Sequence, residues 1–248
     1  MEAFPTIDFL GLKFNATLMI GTVVTMILVL LLVIAGTRGR RMRPQGMQNV
    51  MEMLIEFVQG ITRVMMEPKQ ASKYLSFAFT TFLFIFIANQ LGVIVMIGAE
   101  ATEPIPSLGL SKDVLESVHH EVSWFNSPTA HLSATVALAF AIALYAHFAG
   151  LFKDPKQYFK HYFQPYWPMF FIHIIDEIAK PTTHAARLWA NIFAGEVLIL
   201  ILRQGMPLLT GAPLIVWLGF SVFVGAIQAY IFTVLAMVYI SQKVADDH

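Results

Sequence analysis

Four long stretches of the chain contain no Asp, Glu, Lys or Arg. They are residues 14–37, 74–99, 122–152 and 204–242. A transmembrane helix needs about 20 mostly apolar residues, so each stretch can hold at least one span. The first three predict spans over Ala16–Ala35, Tyr74–Gly98 and Ala130–Leu151.

The C-terminal part of the chain has longer apolar segments than a single upright span requires. Residues 166–205 would form a helix about 60 Å long, roughly twice the hydrocarbon thickness of a bilayer. Gly211–Pro213 predicts a break, after which residues 214–242 form a second long segment. Both segments must therefore be tilted or broken, and Pro181 predicts a kink in the first of them.

A shorter segment, residues 44–70, is too rich in charge to cross a membrane. Its apolar side chains recur at spacings of three and four, at Val50, Met53, Leu54, Phe57, Val58 and Ile61. This periodicity predicts an amphipathic helix lying at the membrane interface.

These elements predict an all-α polytopic membrane protein with about five transmembrane helices and one interfacial amphipathic helix. We expect one membrane domain over residues 1–248. It has three parts, a first span with the interfacial helix (1–72), two spans with a loop between them (73–163) and a channel-forming helical pair (164–248).

The charges are sorted along the chain. Sixteen basic and sixteen acidic residues give a net charge of zero, which excludes a strongly basic nucleic-acid-binding protein. Arg38, Arg40, Arg41 and Arg43 follow the first span, and the acidic excess falls in the loop at 99–127. The positive-inside rule therefore predicts an N-terminus outside and a C-terminus in the cytoplasm. With no cysteine, thiolate metal sites and disulfides are excluded.

One long apolar segment keeps ionisable residues along its length. An arginine in the middle of a span costs about 2.5–3.5 kcal/mol on insertion scales, so Arg187 predicts a functional site. On a helix, one stripe includes Asp176, Lys180, His184, Arg187 and Asn191. Glu196 points to the opposite side, about 13 Å farther along the axis. On the last segment, Ser221, Gln228 and Tyr239 share a face, and Gly225 predicts a close helix approach.

This arrangement predicts ion translocation rather than covalent catalysis. A guanidinium stays protonated, whereas Glu196 and His184 can bind and release protons. Simpler interpretations remain open at this point. Arg187 could form an internal ion pair, Gln228 could form an ordinary interhelical hydrogen bond, and a cytoplasmic helix end could hold Asp176, Glu177 and Lys180. The sequence contains neither GxxxxGK[ST] nor GxGxxG after a strand, and we expect no cofactor or metal.

Two long motifs resemble a known family. RLWANIFAGEVL (Arg187–Leu198) is similar to the RLFGNxxAGE signature of subunit a of F-type ATP synthases, and AIQAYIFTVLAMVYI (Ala226–Ile240) resembles its last-helix motif. RPQGMQN (Arg43–Asn49) and SPTAHLSATVALA (Ser127–Ala139) add support. The resemblance covers the chain from about residue 10 to its C-terminus.

The resemblance implies a function and its site. Arg187 would face a rotating c-ring and displace the proton from each ring carboxylate, with Asn191 and Gln228 nearby and Glu196 in the outer half-channel. The last two helices would form a strongly tilted hairpin along the ring. The subunit would be a non-enzymatic stator component of the bacterial plasma membrane. Its partners would be the c-ring, the b subunits of the peripheral stalk, indirectly the F1 head, and protons, with Na⁺ not excluded.

Some positions depart from the family pattern. His131 and Ser133 replace a common Asp and Asn, Trp189 and Ala190 replace Phe-Gly, and Ser221 replaces His or Glu. The outer access path would then use a different set of groups. His184 is also unusual, and we hypothesise that Lys180 and His184 tune proton release on the cytoplasmic side.

Two other functions fit the pattern of spans. An ion-coupled secondary transporter would use Arg187 to bind an anionic substrate, but such proteins usually show repeated halves and none is visible here. A structural membrane anchor would have no need of a polar stripe opposed by Glu196.

Overall fold

The structure is a computed structural model. It describes residues 4–9, 11–39, 41–95, 97–101, 103–105, 108–117, 121–156, 158, 166, 168–203, 205 and 207–244. Part of the predicted basic loop, including Lys160, and the side chain of Arg203 lie outside the described residues.

Helices account for most of the described chain. They are α1 (Ala16–Thr37), α2 (Met47–Met65), α3 (Pro68–Ile94), α4 (Lys112–Ser117), α5 (Leu132–Lys153), α6 (Met169–Arg203) and α7 (Pro207–Val244). Five of them are long and apolar enough to cross a membrane: α1, α3, α5, α6 and α7. The prediction of an all-α polytopic membrane protein with five spans is confirmed.

The last two helices are continuous. Helix α6 has 35 residues and contains Pro181, and α7 has 38 residues and contains Pro213. The predicted break at Gly211–Pro213 is wrong, because α7 begins at Pro207 and runs through it. A proline removes one backbone hydrogen bond, which a long helix packed against its neighbours tolerates. At about 52 and 57 Å, both helices exceed a hydrocarbon layer of about 30 Å and fit it only by tilting or extending beyond it.

Helix α2 is amphipathic, as the periodicity predicts, and its apolar surface has two sides. Met51, Val58 and Ile61 are buried against the rest of the protein, whereas Met53 and Phe57 are exposed. The remaining face carries the charged side chains. A helix of this kind lies at a membrane interface with one apolar stripe towards protein and another towards lipid.

The predicted outer loop contains more structure than a plain loop. Strands β3 (Ile97–Glu100) and β4 (Glu121–Phe125) pair antiparallel, and α4 lies between them in sequence. Before α1, strands β1 (Thr6–Phe9) and β2 (Leu12–Asn15) form a hairpin whose turn uses Gly11 at φ 80. Strands this short carry too few alternating positions for the hydrophobic pattern to indicate them.

Helices α3, α5, α6 and α7 share one apolar core. Its fully buried members include Ile85 of α3, Leu188 of α6 and Phe232 of α7. Helix α1 packs at the edge through small residues. A Cβ at Gly21 would lie 2.5 Å from the carbonyl oxygen of Asn126. The larger side chains of α1 are mostly exposed, as expected for a helix that contacts lipid.

Helices α3 and α7 cross at Gly225. Asn89 Nδ2 donates to the carbonyl of Gly225 at 3.0 Å, and Gln90 Nε2 donates to that of Val222 at 3.0 Å. A Cβ on Gly225 would come within 3.3 Å of Asn89. The predicted close approach at this glycine is confirmed.

Candidate functional site

Arg187 lies on a face of α6 that the rest of the chain leaves uncovered. Its side chain is exposed, as are those of Ala186, Ala190 and Ala194 on the same face. No carboxylate in the described part of the chain lies within ion-pair distance of its guanidinium. The simpler interpretation of Arg187 as an internal ion pair is therefore not what the structure contains. The cation points outward, flanked by side chains small enough for another helix to approach closely.

A first polar cavity surrounds Glu196. It has a volume of about 70 Å³ and lies between α3, α6 and α7. Its polar lining includes Asn191, Glu196 and Ser221. The Glu196 side chain is 8% exposed, and Asn126 Nδ2 donates to its Oε2 at 3.5 Å. We refer to this space as the Glu196 cavity.

The segment before α5 packs beside the Glu196 cavity. Ser127 Oγ donates to the carbonyl of Ala88 at 2.7 Å and lies 2.8 Å from Thr129 Oγ1. A Cβ on Gly92 would sit 2.8 Å from the Ser127 side chain, so only glycine permits this packing. The contact brings residues 126–130 against α3 and places Asn126 at Glu196.

A second, smaller cavity lies near the other end of α6. It has a volume of about 10 Å³ and is bounded by α5, α6 and α7. Its polar lining residues are His147, Glu177, Lys180, Tyr239, Gln242 and Lys243. We refer to it as the Glu177 cavity. Glu177 precedes Glu196 by 19 residues, about 28 Å along the helix axis.

A mostly apolar layer separates the two cavities. Ala185 and Leu188 of α6 and Ala229 and Phe232 of α7 all have 0% exposure. The buried polar side chains of α6 and α7 described in this interval are His184, Gln228 and Thr233, and Thr233 Oγ1 donates to the carbonyl of Ala229 at 2.9 Å. Arg187 lies on the part of α6 between the two cavities, but on the outward face. Along the axis of α6, the cation is therefore between the cavities.

The stripe predicted around Arg187 is divided between two environments. Asp176 is exposed and Lys180 is half-buried, with its Nζ 3.2 Å from Gln242 Oε1. His184 turns inward, where it is 1% exposed and its ring centroid is 3.7 Å from that of Phe232 and 5.6 Å from that of Tyr239. Neither imidazole nitrogen has a well-oriented hydrogen bond to a described residue. On a helical wheel His184 and Arg187 are only about 60° apart, yet one side chain is buried and the other is exposed.

The three polar residues predicted to share a face of α7 are buried or half-buried. Ser221 is 9% exposed and Gln228 is 4% exposed, and neither Ser221 Oγ nor Gln228 Nε2 has a hydrogen-bond partner in the described part of the chain. Tyr239 is half-buried, and its hydroxyl donates to the carbonyl of Lys180 at 3.3 Å. The ordinary interhelical hydrogen bond considered for the Gln228 amide nitrogen is absent from these residues.

His131 and Ser133 take different positions at the start of α5. Ser133 is exposed, whereas the ring of His131 is half-buried against Phe4, with centroids 5.0 Å apart. Burial lowers the pKa of His131 below its ordinary value, so the ring stays neutral near neutral pH.

Sequence reasoning did not identify several residues at these cavities. Asn126 and Asn89 are uncharged. In the sequence, Asn126 falls in a predicted loop and Asn89 in a predicted membrane span. His147, Glu177 and Lys243 are brought together from three helices, and no sequence spacing indicates such a contact. The Lys–Glu charge complementarity is visible only once the helices are placed.

Five long apolar helices, with buried polar cavities and an outward-facing arginine, define a multi-pass membrane protein. Comparison with known proteins identifies a family within this class. The family model for the ATP synthase A chain matches residues 18–241. Proteins named ATP synthase subunit a from the Staphylococcus aureus strains JH9, Newman and JH1 are each 40% identical over 243 residues, covering 95% of this chain and 93% of theirs.

The chain belongs to the ATP synthase subunit a family. The match extends over nearly all of both sequences, so the resemblance carried by the two motifs is confirmed. Members of this family are components of the membrane sector of ATP synthase rather than its catalytic subunits.

Proposed function

We propose that this chain provides two proton half-channels in the membrane sector of ATP synthase, and that protons pass between them on a rotating c-ring at Arg187. The observation that carries the proposal is the placement of two polar cavities at different depths, with a mostly apolar layer between them and Arg187 on the open face. On this proposal, the apolar layer would keep a proton from passing directly from one cavity to the other.

The Glu196 cavity is the outer half-channel of this proposal. A carboxyl group can accept a proton from water and pass it on, and Asn126, Asn191 and Ser221 provide polar surface beside it. Ser221 Oγ and Gln228 Nε2 are buried polar atoms that would bond to water in an occupied channel. Gln228 follows Gly225 by about one helical turn on α7. It extends the polar lining along the helix towards the level of Arg187.

The ring would dock on the face of α6 that contains Arg187. Alanines at 186, 190 and 194 let another helix come close, and the exposed guanidinium can pair with a carboxylate on that helix. As a ring carboxyl arrives, its proton leaves for the inner side and the carboxylate pairs with Arg187. The carboxylate leaves Arg187 when a proton from the outer half-channel binds to it. The permanent charge of Arg187 also keeps free protons from crossing beside the ring.

The inner half-channel would begin beside Tyr239 and Lys180, near the Glu177 cavity, with Asp176 on the exposed side. His184 is enclosed by aromatic rings, so its part in proton release would be indirect, through the packing of Tyr239. In this arrangement the N-terminus lies outside and the C-terminus in the cytoplasm of a bacterial cell. The b subunits would hold the chain as a stator while rotation drives the F1 head.

The proposed half-channel residues are not confined to 164–248. Helix α3 also lines the Glu196 cavity, Asn126 donates to Glu196 from the 126–130 segment, and α5 lines the Glu177 cavity. We therefore propose that residues 1–248 act as one domain, with the earlier spans forming walls for the final helical pair.

Thiol labelling tests the two half-channels, because the chain has no native cysteine. Ser221→Cys in the assembled enzyme should react with a membrane-impermeant thiol reagent only from the outer side. Gln242→Cys should react only from the cytoplasmic side. Ile20→Cys, on the exposed face of α1, is the control that faces lipid and should react from neither side.

The labelling pattern also separates the proposal from the transporter alternative. A secondary transporter alternates access to one central site, so Ser221→Cys would react from either side depending on the bound ligand. Labelling of Ser221→Cys from the cytoplasm would therefore contradict the half-channel assignment.

A further inference from the structure

A cluster of ionisable side chains joins three helices beside the Glu177 cavity. His147 Nε2 of α5 lies 3.1 Å from Glu177 Oε2 of α6, and Lys243 Nζ of α7 contacts Glu177 Oε1. On its other side, His147 Nδ1 lies 2.6 Å from the hydroxyl of Tyr158. The imidazole is thus held between a carboxylate and a phenol.

The cluster is partly exposed at the surface of the helix bundle. The side chains of His147 and Glu177 are 26% and 21% exposed, whereas that of Lys243 is 9% exposed. An ion pair meant only to hold helices together would need Lys243 and Glu177 alone. The histidine adds a group of the type that gains and loses protons in the physiological pH range.

The Glu177 cavity connects this cluster to the interior of the helical pair. Its volume, about 10 Å³, is near the lower limit for one water molecule. Glu177 and His147 line it together with Tyr239 and Lys180. The ring of Tyr239 in turn contacts that of His184, one turn before Arg187. A water in this cavity would reach both the cluster and the groups below Arg187.

We propose that His147 and Glu177 form a proton-exchange site at the cytoplasmic end of the inner half-channel. The site rests on the proposed function, because it receives the protons that leave the ring near Arg187. It also serves the reverse direction, in which ATP hydrolysis draws protons from the cytoplasm. His147 is the group that is protonated and deprotonated, and Glu177 and Lys243 position it.

Each transfer moves one proton and leaves the site as it began. A cavity water that has accepted the proton leaving the ring passes a proton to the neutral imidazole and remains as neutral water, and the imidazolium lies between the Glu177 carboxylate and the Tyr158 hydroxyl oxygen. The proton then passes to cytoplasmic water and the imidazole is neutral again. Lys243 remains an ammonium throughout, which keeps Glu177 ionised.

Several other groups set the electrostatic environment of His147. Among the described residues, the ionisable side chains near the cluster include Lys153 and Tyr158 beyond His147, Lys180 on α6, Tyr239 on α7 and Tyr74 on α3. Two of these side chains make polar contacts with α7. Lys153 Nζ donates to the carbonyl of Val244 at 2.6 Å, and Lys180 contacts Gln242. His147 therefore lies close to cationic side chains as well as to the Glu177 carboxylate.

His147→Gln in the assembled enzyme tests the proposal. Glutamine keeps a hydrogen-bonding side chain of similar length but cannot carry the proton. We expect ATP synthesis in membrane vesicles to fall about tenfold, below the range typical of positioned acid–base groups because bulk water also reaches the site. The dependence of the rate on cytoplasmic pH should flatten across the neutral range, while the dependence on outer pH stays unchanged. His173→Gln, a histidine of α6 that does not line the cavity, should change neither.

Glu177→Gln separates proton exchange from a purely structural role. If the cluster only holds the helices, His147→Gln and Glu177→Gln will lower the rate equally at every pH, and that result would overturn the proposal. Arg187→Ala is assayed in parallel. Coupled synthesis surviving in Arg187→Ala overturns the proposed function itself, whereas loss there with an unaltered pH profile in His147→Gln overturns only the exchange site.

Discussion

Arg187→Ala should abolish ATP synthesis driven by a proton gradient while the complex still assembles. The side chain is exposed on α6 and makes no described ion pair within the chain, so its removal leaves the fold intact. What it removes is the partner of the ring carboxylate. Breaking a buried ion pair by removing one partner costs about 3–5 kcal/mol. At about 1.4 kcal/mol per factor of ten, synthesis should fall by two to three orders of magnitude.

The measurement is the rate of ATP synthesis in energised vesicles, normalised to the amount of assembled complex. Arg63→Ala is the matched control, because Arg63 is an exposed arginine in the last turn of α2, away from both cavities. It should retain normal synthesis. Normal synthesis in Arg187→Ala would rule out the role given to this residue.

Glu196→Gln should slow proton delivery from the outer side without disturbing the packing around it. The amide is the same size as the carboxylate and its oxygen can still accept from Asn126 Nδ2. It cannot carry a proton, so the outer half-channel loses its only carboxylate among the described lining residues. We expect proton-driven synthesis to fall about tenfold or more, since a positioned proton-transfer group contributes at least that much.

Ser221→Ala provides the matched control in the same cavity. Its hydroxyl has no hydrogen-bond partner within the described chain, so its removal should change the rate little. Glu196→Asp, which keeps a carboxyl group, should recover part of the lost rate. A decrease in Ser221→Ala equal to that in Glu196→Gln would show that cavity shape, rather than proton transfer, limits the flow.

The fold was largely predictable because a membrane span appears in the sequence as a long apolar segment without charged residues. All five spanning helices and the interfacial helix follow from apolar runs and periodicity. The predicted break at Gly211–Pro213 failed because Gly and Pro indicate a turn in water, whereas a helix in a bilayer or packed bundle retains its remaining hydrogen bonds. The short strands were missed because four or five residues hold too little pattern.

The candidate site was predictable in part, for a different physical reason. Arg187 and Glu196 attract notice because charge in apolar sequence is costly. Helical geometry also separates them correctly into an outward and an inward position. Geometry on one helix cannot, however, supply the neighbours on other helices. The contact of Asn126 with Glu196 and that of His147 with Glu177 join residues 70 and 30 positions apart.

The inward position of His184 illustrates the same limit. Its place near Arg187 on a helical wheel suggests a shared polar face. Phe232 and Tyr239 of α7 enclose it instead, because α6 and α7 pack closely there. Only the relative placement of two helices decides whether a polar side chain faces a channel or a core.

The central claim is that protons cross from one cavity to the other on the ring and not through this chain. Proton flux through membranes stripped of the F1 head tests it most directly, when the carboxyl group of the ring subunits is replaced by the amide. Both cavities and Arg187 are then intact, and only the carrier is lost. The account predicts flux at the level of membranes that lack the complex. Flux that persists would reveal a route through the apolar layer around Leu188 and Phe232, and would contradict the account.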